Sequence, residues 1–448
     1  MSTSRAIILA GGKGLRMRSA RPKVLHKICG EALISMVLSA IESSSITDPT
    51  ITVVPDDYST IYDTVHHRTK FAVQREAKGS GHALLQAKNK VGNSENIVVL
   101  NGDVPFVSHK TINRLISAHQ QNDSHITLLT STLVSPNDMG RIFRTSDGKI
   151  QSIIESGESN SKTSLIDEVN AGLYCFKSSW LWKALEAINP SRTSEIYITD
   201  LVKIATTQKL SVQSISSSDE LEAIGINTRL ELSLAENLYR KRLIENLMIS
   251  GVTLTDPATV YIDQEVVVEP DTVLLPNTHL RGTTKVGKGC TLGPNTIIED
   301  TNIGPNCMVR SSVIEGAVLE DNVTIGPFSH IRKGSFLEQN VRVGNYAEIK
   351  NSHIGENSRS GHYSYIGDAK VGREVNIGAG TITCNYDGNK KHMTIIGDHA
   401  FIGCNTMLVA PVNIGRNSIT GTGSVINKDV PPNSKAIGNP ARIFKNEN

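Results

Sequence analysis

A glycine-rich turn, Leu9-Ala10-Gly11-Gly12-Lys13-Gly14-Leu15-Arg16-Met17, follows an apolar run near the start of the chain. Its glycines leave backbone N–H groups free to approach a phosphate or a base closely. Two common phosphate-binding signatures do not fit it. Position 17 is Met where a dinucleotide fingerprint needs its third glycine, and Gly14 follows Lys13 where a P-loop needs Ser or Thr. Further on, the apolar run Ile97–Leu100 ends in Asn101-Gly102-Asp103-Val104-Pro105. That order sets a carboxylate at the C-terminal edge of a central strand, where open α/β sheets bind ligands. Asp103 is there either a hard oxygen ligand for Mg²⁺ or a plain turn residue. In the second half, Gly361-His362-Tyr363-Ser364-Tyr365-Ile366-Gly367-Asp368 breaks an apolar register with a histidine, the side chain that exchanges a proton near neutrality.

These groups need elements to hold them. From Ile7 to about Asn227, β-branched runs alternate with longer amphipathic stretches, and Ala6–Leu9, Ile51–Val54, Ile97–Leu100 and Ile126–Thr130 read as strands. The pattern predicts a Rossmann-like α/β domain with a mostly parallel sheet over residues 1–228. Leu230, Leu234, Leu238, Ile244 and Leu247 then recur at helical spacing, predicting a linking helix over 229–250 that stops at Gly251.

Beyond it, over 251–448, apolar residues recur every six positions: Leu319, Ile325, Ile331, Leu337, Val343, Ile349, and again Ile396, Ile402, Leu408, Ile414, with Thr420 and Ile426 in phase. An internal repeat outranks local propensity. Each unit is a short strand and a tight turn, and three units close one coil of a left-handed parallel β-helix, with the glycines after the aliphatics expected to allow the corners. Ile298 to Ile303 and Ile349 to Ile354 are five-residue steps. A polar stretch, Cys384 to His392, interrupts the repeat and is expected to project as a loop that either binds something or is a tolerated insertion.

Composition sets the outer limits. The 46 Lys and Arg nearly balance the 44 Asp and Glu, so nothing calls for nucleic acid or an anionic membrane. No apolar run approaches the ~20 residues of a spanning helix, and no membrane insertion is expected. Six cysteines without a C-x-x-C pair suit free thiols in the cytoplasm.

The turn at Leu9–Met17, with Arg21-Pro22-Lys23 after it, resembles the signature of sugar-phosphate nucleotidyltransferases. Gln74-Arg75-Glu76 with Gly79-Ser80-Gly81-His82-Ala83 resembles the segment with which that family contacts a pyrimidine base. The resemblance implies that Leu9, Ala10, Gly11, Gly12, Gln74, Gly79 and Ser80 cradle UTP and that Lys23 and Arg16 neutralise its phosphates. It further implies Mg²⁺ on Asp103 and Asn227, and the sugar phosphate on Gly140, Glu155 and Asn170. Asn227 also fits as the N-cap of the helix before Leu230.

Together with His362, Val375-Asn376-Ile377-Gly378-Ala379-Gly380 and Asn385-Tyr386-Asp387-Gly388, the whole chain closely resembles the bacterial bifunctional N-acetylglucosamine-1-phosphate uridylyltransferase and glucosamine-1-phosphate N-acetyltransferase family. That family implies His362 as the base of acetyl transfer, Arg332, Lys350, Tyr365 and Asn376 on glucosamine-1-phosphate, and Ala379, Asn385, Tyr386, Cys404 and Thr422 on acetyl-CoA. Without the resemblance, Arg332 and Lys350 read as solvated corners. Cys404 stands where serine is frequent, Thr422 where a smaller residue is, and Asn439 where some members have an arginine that Arg442 either replaces or leaves missing. The implied product is UDP-N-acetylglucosamine for cell-envelope polysaccharides, made by a homotrimer whose acetyl-transfer site draws on neighbouring subunits. The rival readings are a uridylyltransferase with the β-helix as a trimerisation scaffold, and a non-catalytic sugar-nucleotide sensor.

Overall fold

The computed structural model describes residues 3–133, 139–155, 165–188 and 195–445; the extreme ends of the two expected domains, 1–2 and 446–448, lie outside the described residues. The chain divides into two compact units, Met1–Glu236 and Asn237–Asn448. The division runs through the helix Arg229–Ile249 rather than at either of its ends.

The first unit is built on a sheet whose strands run in the order Val212–Ser216, Ile126–Thr132, Glu168–Lys177, Asn96–Asn101, Ser4–Leu9, Ile51–Pro55, Lys70–Gln74. Along that order pairing is parallel except at Glu168–Lys177, which runs antiparallel to both neighbours, and an antiparallel pair, Arg141–Arg144 and Ile150–Ile154, is joined to it at Arg141. The four strands read from the sequence are present, each longer by one or two residues. Alternate side chains feed two cores: Ala6, Ile8, Val98 and Leu100 on one face, Ile7, Ile97 and Val99 on the other. Both faces of the central strands are therefore covered, which is why their sequences are continuous aliphatic runs.

A buried histidine in this unit makes stability depend on pH. His119, on the helix His109–Gln121, is 2% exposed; its Nδ1 lies 3.0 Å from Thr127 Oγ1, and its Nε2 has no partner among the described residues. Burial, helped by Lys177, pushes its pKa down from 6.5 to about 4. Between those values the unfolded chain holds a proton that the folded chain does not, so stability is lost as pH falls from 6.5 towards 4. A shift of this size bounds the loss at about 3 kcal/mol. The melting temperature of the first unit is expected to fall over that window, with a shallower slope in His119→Gln; equal slopes in the two proteins would refute the assignment.

The second unit stacks three sheets of 12, 10 and 9 short strands, each strand pairing in parallel with the one a full coil later except at the end of the largest, where Ser434–Gly438 and Ala441–Lys445 form an antiparallel hairpin. Most strands point one aliphatic inward, Ser360, Thr383 and Thr420 taking its place in three, and the column includes Leu319, Ile325, Ile331, Leu337, Val343, Ile349, Ile402 and Leu408, all at most 2% exposed. The five-residue steps keep their aliphatics inside, with Ile303 and Ile354 at 5% and 3%.

Of the glycines after the aliphatics, Gly326 turns as expected, with φ of 98°, but most serve a different purpose. Gly344, Gly403 and Gly415 are not in the left-handed region; the corners turn instead on residues such as Asn357, Asn405 and Asn417, with φ of 54–59°. Asparagine tolerates that conformation better than other side chains. A Cβ on Gly344 or Gly403 would run into the backbone of the next coil, at Gly361 and Thr420 respectively, so these glycines are required by close approach between coils. The helix also departs from its sequence pattern. Ile244 and Leu247 pack on the β-helix core, but Leu230, Leu234 and Leu238 are exposed.

Candidate active sites in the two units

In the first unit, the strand Ser4–Leu9 ends at the glycine-rich turn, and Gly102 N donates to Leu9 O (2.9 Å), tying the turn to the loop that carries Asp103. Gln74 ends the strand Lys70–Gln74 with its side chain buried. A Cβ on Gly11 would lie 2.5 Å from Gln74 Oε1, so the turn passes close over that amide. Gln74 Nε2 donates to Gly79 O (3.2 Å), and Ser80 Oγ accepts from Ile198 N (3.0 Å). The result is a cleft of about 480 Å³ lined by Leu9, Ala10, Gly11, Gly12, Arg16, Lys23, Gln74, Gly79, Ser80 and Asp103, with Asn101, Glu195 and Tyr197. Nothing in the local sequence distinguished the last three.

At one wall, Lys23 Nζ is held by the Asp103 carboxylate and by Asn227 Oδ1 (3.0 Å). Asp103 and Asn227 are brought together because Ile226 N donates to Asp103 O (2.9 Å). Asn227 is not the helix cap. Thr228 Oγ1 accepts from Glu231 N (3.1 Å) while the Glu231 carboxylate accepts from Thr228 N (2.8 Å), a reciprocal capping box that leaves the Asn227 amide oxygen to meet Lys23. A carboxylate and an amide oxygen converging on one cationic centre form the hard-oxygen donor set that Mg²⁺ accepts, so these residues fit the ion.

Gly140, Glu155 and Asn170 form a second cluster. Asn170 N donates to Gly140 O (2.9 Å), and a Cβ on Gly140 would lie 3.6 Å from Glu155 Oε2. The Asn170 amide is fixed at both ends: Oδ1 accepts from Gly172 N (3.1 Å), and Nδ2 donates to the buried Tyr174 hydroxyl (2.5 Å). The register of Glu168–Lys177 shifts between Asn170 and Tyr174. There Gly172, with φ of 75°, passes so close to the cleft residue Asn101 that a Cβ would lie 2.5 Å from its amide nitrogen. This irregularity joins the two clusters.

In the second unit, the residues singled out fall at two corners of the 10-stranded sheet. The strands His330–Ile331, Ala347–Lys350 and Ser364–Gly367 pair in register, so Arg332 and Lys350 follow Ile331 and Ile349 at the same corner of adjacent coils. Arg332 is held by Glu348 Oε1 (2.7 Å). Lys350 sits beside Lys391 of the projecting loop, and the hydrogen bond between the two amines, ahead of the Lys391 charge, holds the Lys350 pKa below the usual lysine value. Asn385, 7% exposed at the base of that loop, donates to Asp368 Oδ2 (2.5 Å) and Tyr365 Oη (3.3 Å). Tyr386 is exposed on the loop itself.

The opposite corner holds the others. Ser360 pairs with Ile377, Ile377 with Ile402, and Ile402 with Thr420. Two residues on from each stand His362, Ala379, Cys404 and Thr422, one above another on four successive coils, with Gly423 N donating to Cys404 O (2.8 Å). Asn376 lies just before this corner, in register with Arg359 and Phe401. His362, Cys404 and Thr422 are exposed. The two groups thus flank the outer face of the strand Ser364–Gly367, cations at one end and histidine at the other.

Residues 5–221 match the nucleotidyl transferase family, and residues 393–428 match the bacterial transferase hexapeptide family of six repeats. The chain is 41% identical over 434 residues to the bifunctional protein GlmU of Syntrophomonas wolfei, spanning 96% of each chain. It is 42% identical over 443 residues to that of Carboxydothermus hydrogenoformans (98% of this chain, 99% of the relative), and 38% identical over 442 residues to that of Clostridioides difficile (98% and 96%). With a nucleotidyltransferase unit followed by a left-handed hexapeptide β-helix, and with this identity along nearly the whole of both chains, the protein belongs to the family of bifunctional GlmU proteins.

Proposed function

We propose that the chain makes UDP-N-acetylglucosamine in two steps on two separate sites. The observation that carries this is the presence, in one chain of a bifunctional family, of a polar constellation in each unit: the Lys23, Asp103 and Asn227 cluster of the first and the two-cornered face of the second. We assign uridylyl transfer to residues 1–228 and acetyl transfer to residues 251–448, with 229–250 as the link.

In the second unit the amine of glucosamine-1-phosphate attacks the thioester carbonyl of acetyl-CoA, His362 takes the amine proton, and the CoA thiolate leaves. Arg332 and Lys350, with Tyr365 and Asn376, hold the sugar phosphate. The crowding of Lys350 against Lys391 supports an anion there, since a phosphate relieves like-charge repulsion. Ala379, Asn385, Tyr386, Cys404 and Thr422 take acetyl-CoA.

In the first unit a phosphate oxygen of N-acetylglucosamine-1-phosphate attacks the α-phosphorus of UTP, and pyrophosphate leaves. The glycine-rich turn, Gln74, Gly79 and Ser80 bind the nucleotide, while Gly140, Glu155 and Asn170 orient the sugar phosphate. Lys23 and Arg16 neutralise charge that builds on the phosphates, so positioning and electrostatics do the catalysis without a nucleophilic side chain. Mg²⁺ on Asp103 and Asn227, when bound, supplies further positive charge to the triphosphate.

Three chains packed side by side through their β-helices would complete the acetyl-transfer site; the exposed Tyr363, Met393, Ile395 and Phe401 support such packing. No helix among the described residues is long and apolar enough to cross a membrane, and we place the reaction in the cytoplasm. The test is to incubate the purified chain with glucosamine-1-phosphate, acetyl-CoA, UTP and Mg²⁺ and to follow CoA and pyrophosphate separately. Release of both is expected. Pyrophosphate only from supplied N-acetylglucosamine-1-phosphate, with no CoA, would reduce the β-helix to a scaffold.

A further inference from the structure

The stretch that interrupts the hexapeptide register is a closed hairpin. Tyr386 and Lys391 face each other in an antiparallel bridge, His392 N donates to Asn385 O (2.7 Å), and Asp387 N donates to Lys390 O (3.2 Å). Side chains then lock it. Asp387 Oδ1 accepts from Asn389 N and Lys390 N, each at 2.8 Å, and Asp387 Oδ2 lies 2.6 Å from His392 Nε2. The Lys390 N–H and the imidazole together hold the Asp387 carboxyl down to about 2. A hairpin this short, with no core of its own, is marginal in water unless something fastens it.

Asp387 and His392 are spaced to do that fastening. One carboxylate spans the turn to the returning strand, and His392 is tied twice, through its ring to Asp387 and through its backbone to Asn385. Asn385 and Tyr386, the two loop residues read above as acetyl-CoA contacts, immediately precede this clasp.

We propose that Asp387 and His392 are positioning residues for acetyl-CoA, presetting the hairpin so that Asn385 and Tyr386 meet the cofactor already arranged. The proposal rests on the assignment of those two residues to acetyl-CoA. Neither Asp387 nor His392 takes part in the chemistry. Without the clasp, the ordering of the hairpin is a cost borne at binding, and it weakens acetyl-CoA affinity while leaving the bound complex competent.

Acetyl transfer by the full chain tests this with His392→Phe and Asp387→Ala, read as KM for acetyl-CoA and kcat at saturating acetyl-CoA. KM is expected to rise about tenfold with kcat within about threefold of the parent, an ordering cost of this kind falling on binding. His392→Gln, whose amide N–H can still reach Asp387, is expected to recover most of the loss. Uridylyl transfer and the melting temperature should stay those of the parent. Asn385→Ala and Tyr386→Ala are measured alongside. If those two leave the acetyl-CoA KM unchanged, the cofactor assignment of the loop is wrong and the clasp proposal falls with it. If they raise it while His392→Phe and Asp387→Ala do not, the clasp proposal alone is overturned. A fall in kcat at unchanged KM, or no recovery in His392→Gln, overturns it as well.

Discussion

Asp103→Ala is expected to lower pyrophosphate release from N-acetylglucosamine-1-phosphate and UTP by about a thousandfold, the scale on which a preorganised electrostatic group acts, while CoA release from the acetyl step continues at the parent rate. Asp103 sits just past the end of a central strand, and its carboxylate is the negative partner of Lys23 in the cleft. Removing it takes away the charged half of the oxygen pair proposed to hold Mg²⁺ and leaves Lys23 the Asn227 amide. Asp103→Asn keeps the shape and loses the charge, so it should fall close to Asp103→Ala; full activity in Asp103→Asn would show that the carboxylate is only a turn residue.

The reciprocal expectation concerns His362. Substitution by alanine should lower CoA release by about a thousandfold, within the range by which a positioned general base acts, with pyrophosphate release from supplied N-acetylglucosamine-1-phosphate untouched. His362 is exposed at a corner that continues through Ala379, Cys404 and Thr422, so its loss removes no buried contact. A fall in melting temperature would therefore be unexpected. Parent-like CoA release in His362→Ala would move the base elsewhere.

The β-helix was legible because its geometry writes itself into the chain: one inward aliphatic on most strands gives a fixed period, and Leu319 through Ile349 are buried as the spacing requires. The central strands were legible for a similar reason, being covered on both faces. Glu168–Lys177 was not read as a strand, since its segment Asn170-Ala171-Gly172 carries an irregularity and a glycine in the left-handed region rather than an uninterrupted aliphatic run. Nor was the glycine requirement read correctly: spacing shows that Gly344 and Gly403 recur, but only the stacked coils show that a neighbouring backbone leaves no room for a side chain.

Local motifs pointed to the first site because its parts are short and contiguous. The corner column of the second unit is harder to see. His362 and Ala379 are one coil apart, as are Cys404 and Thr422, but the hairpin lies between Ala379 and Cys404 and throws the spacing out. Similarly, Asn227 and Thr228 both suit a helix start, and the choice between them depends on where Asp103 and Lys23 lie in space.

Mixing two single-site proteins tests most directly the central claim that two independent chemistries in one chain are linked by a free intermediate. Asp103→Ala and His362→Ala are each supplied with glucosamine-1-phosphate, acetyl-CoA, UTP and Mg²⁺, alone and together, and UDP-N-acetylglucosamine is measured by mass. Neither alone should form appreciable product, and the mixture should form it, after a lag while N-acetylglucosamine-1-phosphate accumulates. Product from either variant alone at the parent rate, or none from the mixture while the parent protein makes it, would contradict the account.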